Sequence, residues 1–223
     1  SNPHSIYELL KTVVNKPKKC LALFQFIQAL KPLYIRNTSG LLLAEIYSLT
    51  ENTPTDYFLG SEYKIKLDTA VKIYASGKVW PRKVVEINDF EKEFEEDNIF
   101  DTQKKILKKY LKKNSFEKIV MSYLNMDNIS EIIKNLKLRT NQSITEAECK
   151  IFLNNIDSYR ALANSIKSDL YLNYCAARGG RPQNSLNDLR HVIDSSYCHL
   201  FITNDKKLTK LILNSFSRMR VCA

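Results

Sequence analysis

Two rhythms of apolar positions run along the chain. Over residues 5–31 they fall three and four apart, as on one face of a helix. Ile6, Leu9, Leu10 and Val14 carry the first run, and Lys16 and Pro17 interrupt it. A second run from Cys20 to Leu30, with Phe24, Phe26 and Ile27, is apolar on most faces, which predicts a largely buried helix. Residues 33–38, with Leu33, Tyr34 and Ile35, have the aromatic and β-branched texture of a strand. Residues 39–50 then read as a helix with Ser39 as its N-cap. Further on, Lys64, Ile65 and Lys66 suggest a short edge strand, Trp80 and Pro81 mark a break, and a long helical stretch runs from Ile144 towards Tyr174. Asn187 and Asp188 open an apolar-periodic run through Leu189, Val192 and Ile193, which predicts a helix. Residues 195–198 end it, 199–203 read as a buried strand, and Lys206 starts another helix. A last strand is expected to begin near Arg218.

A helix–strand–helix unit of this length suits a parallel α/β sheet, in which ligands gather at the carboxyl ends of strands. Asp205 would lie at such an end. Asp188 would lie in the first turn of the preceding helix, where the dipole favours a carboxylate. Each also has a plainer reading, Asp188 as a helix cap and Asp205 as a turn former. Glu45 stands inside an otherwise apolar helical run. If buried, it needs a partner, a metal or solvent; otherwise it belongs to the exposed face of an amphipathic helix.

Together Asp188, His191, Thr203, Asp205, Lys206 and Leu208 form a pattern that resembles the C-terminal half of PIN-domain nucleases. The resemblance covers roughly residues 1–50 and 170–223 and is specific over 187–208. It implies an α/β fold with a central parallel sheet flanked by helices. Residues 1–56 and 150–223 would form that core, with a large, mainly helical insertion over 57–149. It also implies that Glu45, Asp188 and Asp205 are catalytic and hold Mg²⁺ or Mn²⁺, with Asn2, Asp194, Thr203 and Asn204 in support. Members of this family open with a strand ending in an Asp-Thr-Asn or Asp-Ser-Asn motif. Here Ser1 and Asn2 look like the tail of one whose Asp precedes Ser1, with Asp68 as the fallback. Two such ions orient and deprotonate a water on one side of a phosphodiester and stabilise the leaving oxygen on the other. The implied activity is RNA hydrolysis leaving a 5′-phosphate. His191 is expected to pack or hydrogen-bond within its helix.

The charge balance adds to this picture. Thirty-four Lys and Arg against 24 Asp and Glu leave a formal charge of +10, which favours polyanions, nucleic acid first. Arg178 and Arg181 flank a Gly-Gly loop leading to Asp188, where they would clamp a phosphodiester or simply belong to a helix connection. An acidic block over residues 86–101 and a lysine-rich stretch over 104–113 read as solvated faces, or as a site and a phosphate grip respectively. The five cysteines are odd in number and form no Cys-x-x-Cys pair, which suits reduced thiols in the cytoplasm. No apolar run is long enough to span a bilayer. Two functions follow. One is a metal-dependent endoribonuclease of PIN type, with RNA as substrate and an inhibitor or antitoxin-like protein as a further partner. The other is a catalytically degenerate PIN-like domain that binds protein or RNA.

Overall fold

The structure, a computed structural model, describes residues 3–81, 87, 108–179, 185–197, 200–202 and 220–222. In chain order the helices are α1 (Pro3–Val13), α2 (Pro17–Leu30), α3 (Thr38–Glu51), α4 (Ser61–Ala75), α5 (Lys108–Lys113) and α6 (Phe116–Tyr123). A short 3₁₀ turn (Met126–Asn128) leads to α7 (Ile129–Thr140), α8 (Glu146–Asn154), α9 (Arg160–Ala177) and α10 (Ser185–Asp194). Strands β1 (Leu200–Ile202) and β2 (Arg220–Cys222) follow.

The chain is mostly helical, and this overturns the expected α/β fold with a central parallel sheet flanked by helices. The two strands lie inside the segments where strands were expected. They pair in parallel, Leu200 with Arg220 and Ile202 with Cys222, but each is three residues long. The strand expected over 33–38 reduces to one antiparallel bridge, Ile35 with Phe58. Arg36 N–H donates to Tyr57 C=O at 3.0 Å and Leu59 N–H to Tyr34 C=O at 2.9 Å. The helix that begins at Thr38 leaves no room for a longer ladder. Its cap is Asn37 rather than Ser39, since the Asn37 Oδ1 accepts from Gly40 N–H at 2.9 Å. A Cβ at position 40 would stand 2.9 Å from that oxygen and 3.0 Å from Arg36 Cβ, so glycine suits this close approach. Lys64, Ile65 and Lys66 belong to α4. Leu67, Val71 and Ala75 are buried at a spacing of four, and this helical period prevails over the local alternation.

Two compact units make up the chain, residues 1–40 with 57–97 and residues 41–56 with 98–223. In the first, Ile6, Tyr7, Leu10 and Val13 of α1, Cys20 and Phe24 of α2, and Leu67, Val71 and Ala75 of α4 share one apolar core with Tyr34 and Ile87. Pro17 starts α2 at the position where its missing N–H costs nothing. The Phe24 ring meets those of Tyr74 and Trp80 at 5.3 and 6.3 Å between centroids.

The second unit is arranged around α9, which packs against α5, α6, α7 and α10. Ala161, Leu162, Ala163, Ser165, Ile166, Ser168, Leu170 and Leu172 are buried, so α9 is covered on most faces. The helical stretch expected to run from Ile144 towards Tyr174 is in fact broken between Asn154 and Arg160. Thr145 and Glu148 form a reciprocal capping box on α8. Arg139 of α7, itself buried, pairs with the partly exposed Asp169 of α9, and its Nε donates to Asn135 Oδ1 at 2.6 Å.

Candidate functional site

On α3, Leu41, Leu42, Glu45, Ile46 and Leu49 fall on one face at helical spacing, and the four apolar members are buried. Glu45 sits in their midst and is 0% exposed. Its Oε1 accepts from Ala161 N–H at 2.8 Å, and its Oε2 from Leu162 N–H, also at 2.8 Å. The Tyr197 hydroxyl donates to Oε1 as well. Ala161 and Leu162 lie in the first turn of α9, whose own N-cap residue, Tyr159, makes no side-chain cap bond. Glu45 therefore caps α9 from another helix, giving orphan N–H groups an acceptor and the positive end of the dipole a carboxylate.

Burial still dominates its ionisation. It pushes the Glu45 carboxyl up from 4.5 to about 7, against the opposing pull of Tyr197, the two backbone N–H groups and Arg160. Burial, and then the nearby Glu45 charge, push the Tyr197 phenol above its usual range. The Tyr159 phenol is raised for the same two reasons, partly offset by its bond to Ser48.

The residues expected to form a metal cluster are placed as follows. Glu45 spends both oxygens on the protein itself and is a structural acid, not an open ligand. Asp188 lies in α10, and the structure describes its backbone only. Asp205, Asn2, Thr203, Asn204 and Arg181 lie outside the described residues, as does the acidic block over 86–101 apart from Ile87. Asp194 closes α10 and is buried. Asp68, the fallback acid, is exposed on α4. Among the described residues no three His, Cys, Asp or Glu side chains group as a metal site would.

Arg178 is also used within the protein. Its guanidinium donates to the carbonyls of Leu111, Lys112 and Asn114, the latter two at 3.1 and 3.0 Å. It lies over the Tyr174 ring at 3.7 Å, and with these bonds it closes the C-terminal end of α5. Lys112 and Lys113, at that same end, are exposed, and so is Lys118 in the first turn of α6. Arg178 thus fixes the backbone that carries Lys112 and Lys113.

Tyr197 and the break before α9 are not among the features the sequence pattern predicts. Asn154, Asn155, Asp157 and Ser158 were the available signal for the break, being turn formers in series. Nothing local marks Tyr197 as a partner of Glu45, since 152 positions separate them.

The fold and this site define a basic, mostly helical protein in which the candidate acid Glu45 is a helix cap. No protein-family model, no curated protein and no solved structure matches the chain. Among the described residues no helix is long and apolar enough to cross a membrane.

Proposed function

We propose that the chain is a basic, helical RNA-binding module that does not hydrolyse its ligand. The observation that carries this reading is how the two kinds of charge are used. Glu45 is consumed inside the protein, while Lys112, Lys113 and Lys118 stand in solvent, the first two on a backbone held by Arg178. Lysines so placed grip phosphates as point charges and read no base, so binding is strong at low salt and tolerant of sequence. The surplus of ten positive charges supports the same partner. Cys20, Cys149 and Cys175 are free thiols, which suits an encounter with RNA in the reducing cytoplasm.

Fluorescence anisotropy with a labelled single-stranded RNA tests this. Reversing Lys112, Lys113 and Lys118 to Glu is expected to weaken binding at least ~10-fold and to flatten the salt dependence by about two units of log–log slope. Equal affinity and slope in the variant would contradict the reading.

A second reading is metal-dependent hydrolysis of RNA of PIN type, with Asp188 and Asp205 as ligands. The parallel pairing of β1 with β2 directly after α10 favours it, since acids at strand ends and helix starts converge in such arrangements. It lacks the third acid, because Glu45 is engaged elsewhere, and so ranks second.

A further inference from the structure

The Tyr197 hydroxyl stands between two acceptors, Glu45 Oε1 and the carbonyl of Ser158, the latter at 3.2 Å. A hydroxyl carries one proton to donate and two lone pairs to accept with. It can serve only one of these acceptors fully at a time, and which one depends on whether Glu45 carries a proton. We propose that Glu45, Tyr197 and the Ser158 carbonyl form a protonation-driven hydrogen-bond relay that fastens the start of α9 to the turn after α10 in two alternative ways.

With Glu45 ionised, the carboxylate accepts from Ala161 N–H, Leu162 N–H and the Tyr197 hydroxyl, and all three bonds converge on it. One proton from water, taken up on Oε1, reverses the first link. The new Oε1–H donates to the Tyr197 oxygen, and the Tyr197 O–H turns to the Ser158 carbonyl. No heavy atom needs to move far, and every polar group keeps a partner. The Ala161 N–H is the exception in strength, because a carboxylic hydroxyl oxygen accepts more weakly than a carboxylate oxygen. Protonation therefore loosens the first turn of α9 at Ala161 and tightens the segment before it at Ser158.

The surrounding charges make this exchange accessible near neutral pH. Burial of Glu45 favours the protonated form. Arg160, next to the capped turn, favours the ionised form. Tyr159, held by Ser48, and Tyr197 remain protonated, since both phenols are raised. Arg160, Tyr159 and Tyr197 are thus ionisable groups that interact with Glu45. Opposed pulls of this kind leave the carboxyl poised near pH 7, and the relay converts its titration into a change of bonding at two helix ends.

The test is carbon-13 NMR of the full chain with labelled Glu carboxyl and Tyr Cζ carbons, titrated from pH 5 to 9. The Glu45 carboxyl signal is expected to titrate with a midpoint near 7, and the Tyr197 Cζ signal to move with the same midpoint. Tyr197→Phe, which keeps the ring and removes the hydroxyl, is expected to raise the Glu45 midpoint by about one pH unit, because the carboxylate loses a donor. A Tyr197 Cζ signal that stays flat while Glu45 titrates would overturn the relay. So would a Glu45 signal with no inflection in this range, or a midpoint that Tyr197→Phe leaves unmoved.

Discussion

Glu45→Ala is expected to destabilise the protein by about 4 kcal/mol at pH 5, read from urea unfolding followed by circular dichroism. The substitution leaves the N–H groups of Ala161 and Leu162 buried with no acceptor, at ~1–3 kcal/mol each. It also opens a small cavity among Leu41, Leu42, Ile46 and Leu49. The loss depends on pH, and its sign follows from the direction of the ionisation shift. The folded protein holds the Glu45 proton up to about pH 7, whereas the unfolded chain releases it near 4.5. Between those values the folded state binds more protons, so stability falls as pH rises. Glu45 therefore contributes most below pH 4.5, and about 3 kcal/mol of that contribution is gone above pH 7. The gap between wild type and Glu45→Ala should accordingly narrow from pH 5 to pH 8. A gap that widens over this range would mean that the ionised form is the favoured one in the folded protein.

Asp169→Ala is expected to cost about 3–5 kcal/mol, and Arg139→Met distinctly less. The pair joins α7 to α9, and its two members are buried unequally: the Arg139 side chain is 3% exposed and that of Asp169 22%. Removing Asp169 takes the counter-charge from a guanidinium that water hardly reaches, so the desolvation cost of the cation goes uncompensated. Removing Arg139 leaves a carboxylate with some access to water, and methionine fills much of the vacated volume. Thermal unfolding of the two variants reads the asymmetry directly. Equal losses would show that the pair acts through packing alone rather than through charge.

Several elements of this fold are legible in the sequence. The interruption at Lys16 and Pro17 separates α1 from α2, and the apolar spacing of Leu41, Leu42, Ile46 and Leu49 marks α3. β1 and β2 occur inside the segments whose texture suggested strands. The central sheet does not follow from that texture, because a strand is stabilised by its neighbours and the described residues supply few. Residues 33–38 find a single bridge partner at Phe58, and 64–66 are drawn into α4 by Leu67, Val71 and Ala75. The resemblance to PIN-domain nucleases carried the sheet with it, and the helical structure removes that part of the expectation.

The site was partly legible too. An acid in an apolar helical run needs a partner, and Glu45 has one. The partner is the uncapped start of a helix 116 positions away, a distance that no spacing within α3 encodes. Arg178 illustrates the same limit. Beside two glycines it reads either as a phosphate clamp or as part of a helix connection, and the carbonyls that take up its donors, at the end of α5, lie more than sixty positions upstream.

The most direct test of a binding module without hydrolytic chemistry is a calorimetric titration of the full chain with Mn²⁺, alongside Asp205→Asn. Expected is the same weak, non-saturating heat for both proteins, because the acid that would complete the cluster is locked in the α9 cap. Saturable Mn²⁺ binding by the wild type that Asp205→Asn abolishes would contradict this, and would make metal-dependent cleavage the better reading.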